Sequence, residues 1–527
     1  MATDCVFVNA RVITMDPKRP RAQAFAVRDG RIVTIGSTEA VRTGKNESTQ
    51  VRDLKGMCVV PGLIDSHLHL VSYGLSLRSI DLREARSIED IKEAVRERVK
   101  LAKTGELVRG GGWDQDKLEE RRYPTRTDLD EVSPRNPVVL SRVCGHVICL
   151  NSRALQLAKI DANSADPPGG EIVREWQTRE PNGLLKEAAA DLAWKAFPQP
   201  SEDQNMTAAE LACSEFIKVG LTTVHFMSAT LPEARALTRL RDGGRLPIRV
   251  RLYAAEDDYE EMRAELKEDD MLRFCGVKLF MDGSLGGRTA LLSRPYSDDP
   301  STSGMETVDE GKAEGIFEAV HFQGLQLAVH SIGNEATKRA LDLLQKAIDA
   351  HPREDHRHRI EHASVLTREL MDRIKRLGLI ASVQPHFIIS DSWVVKRVGE
   401  ERATGVYALK SIMDKGIPTA AGSDCPVELP SPFLGMKAAV TRGEEEGIEL
   451  SAVTQNEKLS VEAALQIYTR GGAFASREEG LAGVLREGSY ADFVVLSDDP
   501  TTCNPQNLDK VEVKMTVVGG RVVFENV

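Results

Sequence analysis

Eight short apolar runs, mostly separated by segments with a helical pattern, constrain the fold of this chain most strongly. The runs are Leu63–His69, Thr222–Phe226, Ile248–Ala254, Val277–Met281, Leu327–His330, Arg359–His362, Ile380–Gln384 and Thr419–Asp424. Short apolar runs that alternate with helices are typical of parallel strands joined by helical connections. Eight such units predict an α/β fold, the (β/α)8 TIM barrel, in which active sites lie at the carboxyl ends of the strands. We expect its first strand in residues 59–74 and the rest of the barrel in residues 216–478.

Both ends of the chain have a different pattern. Residues 5–14 and 24–35 alternate like strands, with the hairpin signal Asp29-Gly30 in the second stretch. Ala491–Leu496 and Val517–Val523 look similar. Because each end alone is too short to bury a good core, we expect one small β-sandwich domain built from residues 1–58 and 479–527.

The stretch between the first two predicted strands is too long for a simple helical connection. Residues 75–215 are therefore predicted to form an insertion with its own structure. It contains Gly110–Gln115 and a strand-like run, Val138–Asn151, that holds His146. An insertion after the first barrel strand is expected to lie over the mouth of the barrel and to cap the pocket.

Metal-binding residue types end several of the predicted strands. His67 and His69 alternate within the first run, so both side chains point to the same face. Other runs carry Lys278, His330, His362 and Asp424 at or near their carboxyl ends. A single histidine of this kind is more often structural than a ligand, but chance becomes the weaker explanation for the whole set. Imidazole and carboxylate suit zinc, and also iron, nickel or manganese.

The set can hold one or two ions. His67, His69 and Asp424 would bind one, and His330 with His362 a second. Lys278 cannot be a ligand as an ammonium, but a buried lysine of lowered pKa can react with carbon dioxide. The N6-carboxylated Lys278 would then bridge two ions. In the alternative interpretation, Lys278 pairs with Asp282 or points into the barrel wall.

Composition excludes several classes of function. The formal net charge is −11 and no run is rich in Lys or Arg, which argues against nucleic acid or an anionic membrane as a partner. Eight scattered cysteines without a Cys-x-x-Cys pair suggest neither a zinc ribbon nor a disulfide framework. We find no secretory signal and no apolar stretch of membrane-spanning length, so a cytoplasmic location is expected.

Motifs along nearly the whole chain resemble the amidohydrolase superfamily of metal-dependent hydrolases. They are similar to its branch of N-substituted formamide deformylases and YtcJ-like proteins. The matching segments are 61–69 (PGLIDSHLH), 112–115 (GWDQ), 145–146 (GH), 151–155 (NSRAL), 277–286 (VKLFMDGSLG), 329–333 (VHSIG), 360–363 (IEHA), 422–427 (GSDCPV) and 488–496 (GSYADFVVL). Cys425, beside Asp424, departs from the small apolar residue expected there.

The resemblance implies hydrolysis of a non-peptide C–N bond in a small-molecule amide, such as an N-substituted formamide. It also implies a homodimer. The cofactor is expected to be a divalent metal, with zinc as the first candidate from the ligand types. A metal-activated water would attack the carbonyl carbon, with Asp424 as general base and then general acid. His146 falls near the scissile group in the family pattern, although a structural role is equally open.

Five further residues are candidates for substrate contacts, and several functions stay open. The candidates are Trp113, Asp114, Asp282, Arg288 and His386. Arg288, in the glycine-rich stretch after the fourth run, is predicted to meet a carboxylate or to pair with Asp282. The same site would suit a cyclic amidase, an esterase or a deaminase. The fold alone cannot exclude another metal-dependent reaction on the same barrel, such as that of an isomerase or a lyase. A regulatory barrel protein without activity is the alternative outside enzymes; loss of a ligand would favour it, and none of the six is missing.

Overall fold

A computed structural model describes residues 5–43, 49–308 and 310–526 of the chain. Eight parallel strands lie side by side in chain order. They are Leu63–Leu68, Leu221–Ala229, Arg249–Ala254, Leu272–Phe280, Gln326–Ser331, Arg359–His362, Ile380–Val383 and Thr419–Ala421. The segment that follows the last strand meets the first strand through a parallel bridge between Leu68 and Cys425. The predicted (β/α)8 barrel is therefore confirmed.

Helices cover the outside of the barrel. Asn334–Ala350 shows why: Ala336, Ala340, Leu344 and Ala347 are buried and recur three or four residues apart, so one face of the helix packs on the sheet. The helices around the barrel are Leu70–Ser76, Glu202–Lys218, Leu231–Asp242, Tyr259–Glu265, Glu310–Phe322, Asn334–Ala350, Arg368–Arg376, Phe387–Ser390, Val394–Val398, Glu400–Ala403, Leu409–Asp414, Pro432–Thr441, Glu449–Val453, Val461–Ile467 and Arg470–Ala475. Within the described ranges, no helix has both the length and the apolar character needed to cross a membrane.

The two ends of the chain form a separate pair of β-sheets. One has the strand order Arg31–Gly36, Ala24–Arg28, Cys5–Val8, Gln50–Asp53, and the other Arg521–Glu525, Val513–Val518, Phe493–Leu496, Cys58–Pro61, Arg11–Ile13, Arg21–Ala22. The rings of Phe7, Phe25 and Phe493 meet between them, with centroids 4.8 to 5.1 Å apart. Both termini thus contribute to one shared core, as their strand patterns predict.

The chain passes from this domain into the barrel at Gly62. The strand Cys58–Pro61 still pairs with Phe493–Leu496, and the first barrel strand begins one residue later. A Cβ at position 62 would lie 2.1 Å from Thr222 Oγ1, so only glycine allows the two backbones this approach.

The insertion has a six-stranded sheet of its own. Its strand order is Gly170–Arg174, Pro181–Glu187, Val147–Leu150, Val138–Arg142, Val108–Trp113, Ile80–Asp81. The helices packed with it are Ile88–Leu101, Arg126–Val132, Ser152–Ala158 and Ala188–Ala196.

The predicted strand-like run Val138–Asn151 is a hairpin rather than one strand. Val138–Arg142 and Val147–Leu150 pair antiparallel, and the chain reverses at Gly145, whose φ of +76° favours glycine. His146 consequently stands at the start of the returning strand, at the tip of the hairpin.

Candidate functional site

Four predicted ligands meet at the carboxyl ends of the first, sixth and eighth strands. Asp424 Oδ1 lies 3.4 Å from His67 Nε2 and 3.3 Å from His69 Nε2. Candidate ligand atoms of His67, His362 and Asp424 all lie within 4.8 Å of one another. Backbone closure of the barrel fixes this arrangement, because Asp424 N–H donates to His67 O at 2.7 Å and His69 N–H donates to Cys425 O at 2.8 Å.

Lys278 and His330 join the same group from the fourth and fifth strands. Lys278 Nζ is 3.3 Å from His67 Nε2, and the His330 ring centroid is 4.4 Å from that of His362. The structure therefore brings all six predicted side chains together at one end of the barrel. Lys278 faces His67 here, and Asp282 is bound to backbone amides instead of to the lysine.

Each of the four histidines has one ring nitrogen occupied by an acceptor, which fixes its tautomer. The pairs are His67 Nδ1 with Glu361 Oε2 at 2.6 Å, His69 Nδ1 with Met227 O at 3.1 Å, His362 Nδ1 with Gln384 Oε1 at 2.8 Å and His330 Nε2 with Gly283 O at 3.0 Å. The other nitrogen of each ring keeps a lone pair for a metal. For His67 and His69 that nitrogen is Nε2, which lies beside Asp424.

Two ligand positions have an unusual backbone. His362 and Asp424 have φ angles of +71° and +57°, in the left-handed region that residues with a Cβ rarely adopt. In a regular strand, His362 would point away from the face of Glu361. The left-handed conformation breaks this alternation, so that Glu361 and His362 both reach the group around His67.

A buried ion pair lies beneath the site. Arg359 Nε is 2.7 Å from Glu361 Oε1, and neither side chain is exposed. Burial alone would raise the pKa of the Glu361 carboxyl, but Arg359 and His67 hold it well below its usual range. Glu361 is therefore an anion that accepts from His67. His225, which ends a predicted strand, binds Arg359 through Nδ1 at 2.9 Å and packs in the barrel interior.

The lowered pKa values of several candidate ligands favour their deprotonated forms, which can bind a cation. Burial lowers the pKa of Lys278 to about 8, which makes the neutral amine accessible near neutral pH. Burial also holds the pKa values of His330 and His362 well below their usual range, so both rings are neutral. Burial would raise the pKa of Asp424, but the neighbouring histidines lower it strongly. Imidazole nitrogens beside a carboxylate are a donor set that fits a divalent cation.

A cleft adjoins this group, between the insertion and the barrel loops. Asp114 and Arg142 line it on the insertion side, and Leu285, Ile332 and Phe387 on the barrel side. The Phe387 ring runs parallel to the ring of His362, with centroids 6.4 Å apart. The insertion therefore forms part of the cleft wall, as expected of a cap.

His146 reaches the same place from the hairpin tip of the insertion. Its ring centroid is 5.2 Å from that of His330, and its Nδ1 is 2.7 Å from Glu187 Oε2. Burial would lower the pKa of His146, but the Glu187 carboxylate raises it to about 9. His146 is thus a cation beside the predicted metal ligands.

The other predicted substrate contacts divide into two groups. Asp114 lines the cleft but is paired with Arg142 at 2.8 Å, and His386 binds Glu428, another residue of the cleft wall, at 2.5 Å. Trp113 is fully buried in the core of the insertion, where its Nε1–H donates to Leu140 O at 3.1 Å. The structure does not bring Trp113 to the cleft.

Arg288 does not pair with Asp282, the second of its two predicted contacts. Arg288 Nη2 lies 2.8 Å from Asp298 Oδ2, outside the metal-ligand group. Asp282 is fully buried and accepts backbone N–H groups of Leu291, Ile332 and Gly333 at 2.7 to 3.0 Å. Burial raises the pKa of Asp282 to about 7. Asp282 therefore holds the loops after strands four and five together.

Sequence reasoning missed the carboxylates behind the histidines. Glu361 directly precedes a predicted ligand, which was a usable signal, since carboxylates commonly orient metal-binding imidazoles. Glu187 offered none, because 41 residues separate it from His146. The only sequence signal for Arg142 was its position four residues before His146.

The comparison with known proteins agrees with this geometry. A profile of the amidohydrolase family matches residues 50–524. The chain belongs to the amidohydrolase family. The YtcJ protein of Bacillus subtilis (strain 168) is 37% identical, with 98% of each chain covered.

Two further relatives place this amidohydrolase more closely. The N-substituted formamide deformylase of Arthrobacter pascens is 28% identical, with 99% of this chain and 98% of the relative covered. A crystal structure of a metal-dependent hydrolase from Pyrococcus horikoshii OT3 superposes with a TM-score of 0.79 at 33% identity, over 95% of this chain and 99% of that one. The resemblance predicted from the motifs is confirmed, and the protein is a metal-dependent hydrolase.

Proposed function

We propose that this amidohydrolase hydrolyses a linear, non-peptide C–N bond in a small-molecule amide, with N-substituted formamides as the first substrate class to test. The convergence of six side chains at one end of the barrel supports this proposal most directly. Candidate ligand atoms of three of them, His67, His362 and Asp424, lie within 4.8 Å of one another. The full-length similarity to an N-substituted formamide deformylase supports the choice of substrate class.

The residues would hold one or two divalent ions. Zinc is our first candidate, and the same imidazole and carboxylate donors also suit iron, nickel or manganese. His67, His69 and Asp424 would hold one ion, and His330 with His362 the other. Such an ion would lower the pKa of bound water to about 7 and would polarise the carbonyl of the amide.

Lys278 would serve as the bridge in a site with two ions. The neutral amine adds to carbon dioxide, forms an N–C bond and releases one proton, which leaves a carbamate anion. The pKa of about 8 for Lys278 supports this step, since an appreciable share of the amine is neutral near pH 7. Lys278 Nζ also lies 3.3 Å from His67 Nε2, within the ligand group.

Asp424 and His146 would move and stabilise charge during the reaction. Asp424 would accept a proton from the attacking water on its carboxylate and deliver it to the leaving nitrogen. His146, cationic through Glu187, would donate a hydrogen bond from Nε2 to the carbonyl oxygen as negative charge develops there. The insertion that carries His146 would also limit access of bulk water to the cleft.

Metal analysis of purified protein and a substrate panel test the proposal. The panel contains N-substituted formamides, N-acyl amines, cyclic amides and esters. His67→Ala should lose both bound metal and hydrolysis, whereas His351→Ala should keep both, because His351 is a surface residue paired with Glu318. Turnover and metal content that survive in His67→Ala would overturn the proposed centre. Turnover of esters or cyclic amides alone would show that the enzyme acts on one of those classes and not on linear amides.

The implied assembly is also open to test. We propose a homodimer on the strength of the resemblance alone. Sedimentation of the purified protein measures its mass directly, and a monomer at working concentration would contradict this part of the proposal.

A further inference from the structure

We propose that Glu187 is a positioning residue that holds His146 over the metal-ligand group and couples docking of the insertion to catalysis. The inference rests on the proposed function for the role of His146. Glu187 itself stands at the end of the strand Pro181–Glu187, in the insertion, and belongs to none of the predicted site residues.

Glu187 binds His146 twice. Its backbone N–H donates to His146 O at 2.9 Å, and its side-chain Oε2 accepts from His146 Nδ1 at 2.7 Å. The residue is only 7% exposed. Because Nδ1–H is directed to the carboxylate, the imidazole has a fixed orientation and Nε2 is left for other partners.

The second carboxylate oxygen of Glu187 belongs to the barrel. Thr289 Oγ1 donates to Glu187 Oε1 at 2.5 Å, from the loop after the fourth strand. A Cβ on Gly283 would lie 2.1 Å from the same oxygen, so the loop can approach Glu187 only with glycine there. Gly283 O also binds His330 Nε2 at 3.0 Å. One short loop therefore contacts both a predicted metal ligand and the partner of His146.

The backbone of Glu187 is itself unusual. Its φ of +50° and ψ of −129° lie outside the regions that residues with a side chain favour. Such conformations persist where surrounding contacts over-determine them, and they cluster at functional sites. The bend is what turns the strand end toward both His146 and Thr289.

A purely structural role is the competing explanation, since a buried ion pair can simply hold the insertion on the barrel. The two explanations differ in one respect. If Glu187 acts through His146, its loss should cost nothing further in catalysis once His146 is gone. If it only stabilises the docked insertion, the two losses should multiply.

The experiment is a double-mutant cycle on the metal-loaded enzyme with Glu187→Gln, His146→Gln and the double variant. Each single variant should lose about 10²-fold in kcat with a small change in KM, and the double variant should match His146→Gln. Glu171→Gln is the matched control, because Glu171 pairs with Lys186 at 2.8 Å in the same sheet. It should keep the wild-type kcat. Losses that multiply to about 10⁴-fold in the double variant would overturn the inference.

A second measurement needs no turnover. The proton spectrum of the metal-loaded wild type should contain a low-field Nδ1–H resonance that is absent in His146→Gln and shifted in Glu187→Gln. A wild-type spectrum without this resonance, or one unchanged in Glu187→Gln, overturns the inference. If the resonance behaves as expected while no amide of the panel is hydrolysed, the proposed function fails and the Glu187–His146 contact stands.

Discussion

Glu361→Gln, compared with a substitution in a second buried ion pair, separates metal binding from stability. Glu361 accepts from His67 Nδ1 at 2.6 Å and pairs with Arg359 at 2.7 Å, with both carboxylate and guanidinium fully buried. Glutamine keeps the shape of the side chain and removes the charge. Two losses should follow, one in the affinity of His67 for metal and one in the free energy of unfolding.

The structure sets the size of each loss. Removing a carboxylate that orients a metal-bound imidazole typically weakens metal binding by about 10- to 100-fold. Breaking a buried ion pair typically costs about 3–5 kcal/mol, because one charge is left uncompensated. Arg359 keeps neutral acceptors, among them Ser66 O at 2.6 Å, Ser382 Oγ at 2.9 Å and Tyr253 Oη at 3.0 Å. We therefore expect the lower end, about 3 kcal/mol.

Competition with a chromophoric chelator measures the metal affinity, and denaturant unfolding of the metal-free protein measures stability. Glu478→Gln is the matched control, since Glu478 pairs with the buried Arg251 at 2.6 Å in a separate ion pair without a histidine partner. It should lose comparable stability and keep the wild-type metal affinity. Equal metal affinities in Glu361→Gln and wild type would refute the reasoning.

Three further predictions address the proton shuttle, the carbamate and the response to acid. Asp424→Asn should keep most of the bound metal but lose about 10³-fold in kcat, because the asparagine side chain cannot accept the proton of the attacking water. Wild-type turnover in this variant would contradict the proposed proton transfer by Asp424. The Lys278→Met variant should bind fewer equivalents of metal than wild type, as measured by emission spectrometry. Bicarbonate should promote metal uptake by the wild type and not by this variant. Lys117→Met, at an exposed lysine of the cleft, is the control and should behave like the wild type. Burial lowers the pKa of His356 to about 4 from an ordinary 6.5, so the unfolded chain binds this proton more tightly. The stability that this residue contributes is present above pH 6.5 and is lost as the pH falls. The loss of this contribution from His356 should lower the free energy of unfolding by about 2 kcal/mol between pH 7 and pH 5. His356→Gln should remove this part of the pH dependence of the free energy of unfolding.

The barrel and the convergence of the candidate metal ligands were predictable because each depends on local sequence. Strand periodicity places His67 and His69 on one face whatever lies elsewhere in the chain. The carboxyl ends of parallel strands then meet at one end of a barrel, so His330 and His362 could be assigned to the same site before any coordinates. The alternating patterns at the two termini likewise predicted their shared β-sheets.

The sequence by itself determined the fold class, the candidate ligands that meet at one end of the barrel and, through its motifs, the family. Only the tertiary structure decided which groups stand behind the ligands. Glu187 and His146 are far apart along the chain, and their contact exists because a hairpin reverses at Gly145 and a strand bends at Glu187. Trp113 shows the converse, since a motif residue that the sequence placed near substrate packs in a core instead. Periodicity specifies the face of an element, whereas side-chain partners depend on how separate elements dock.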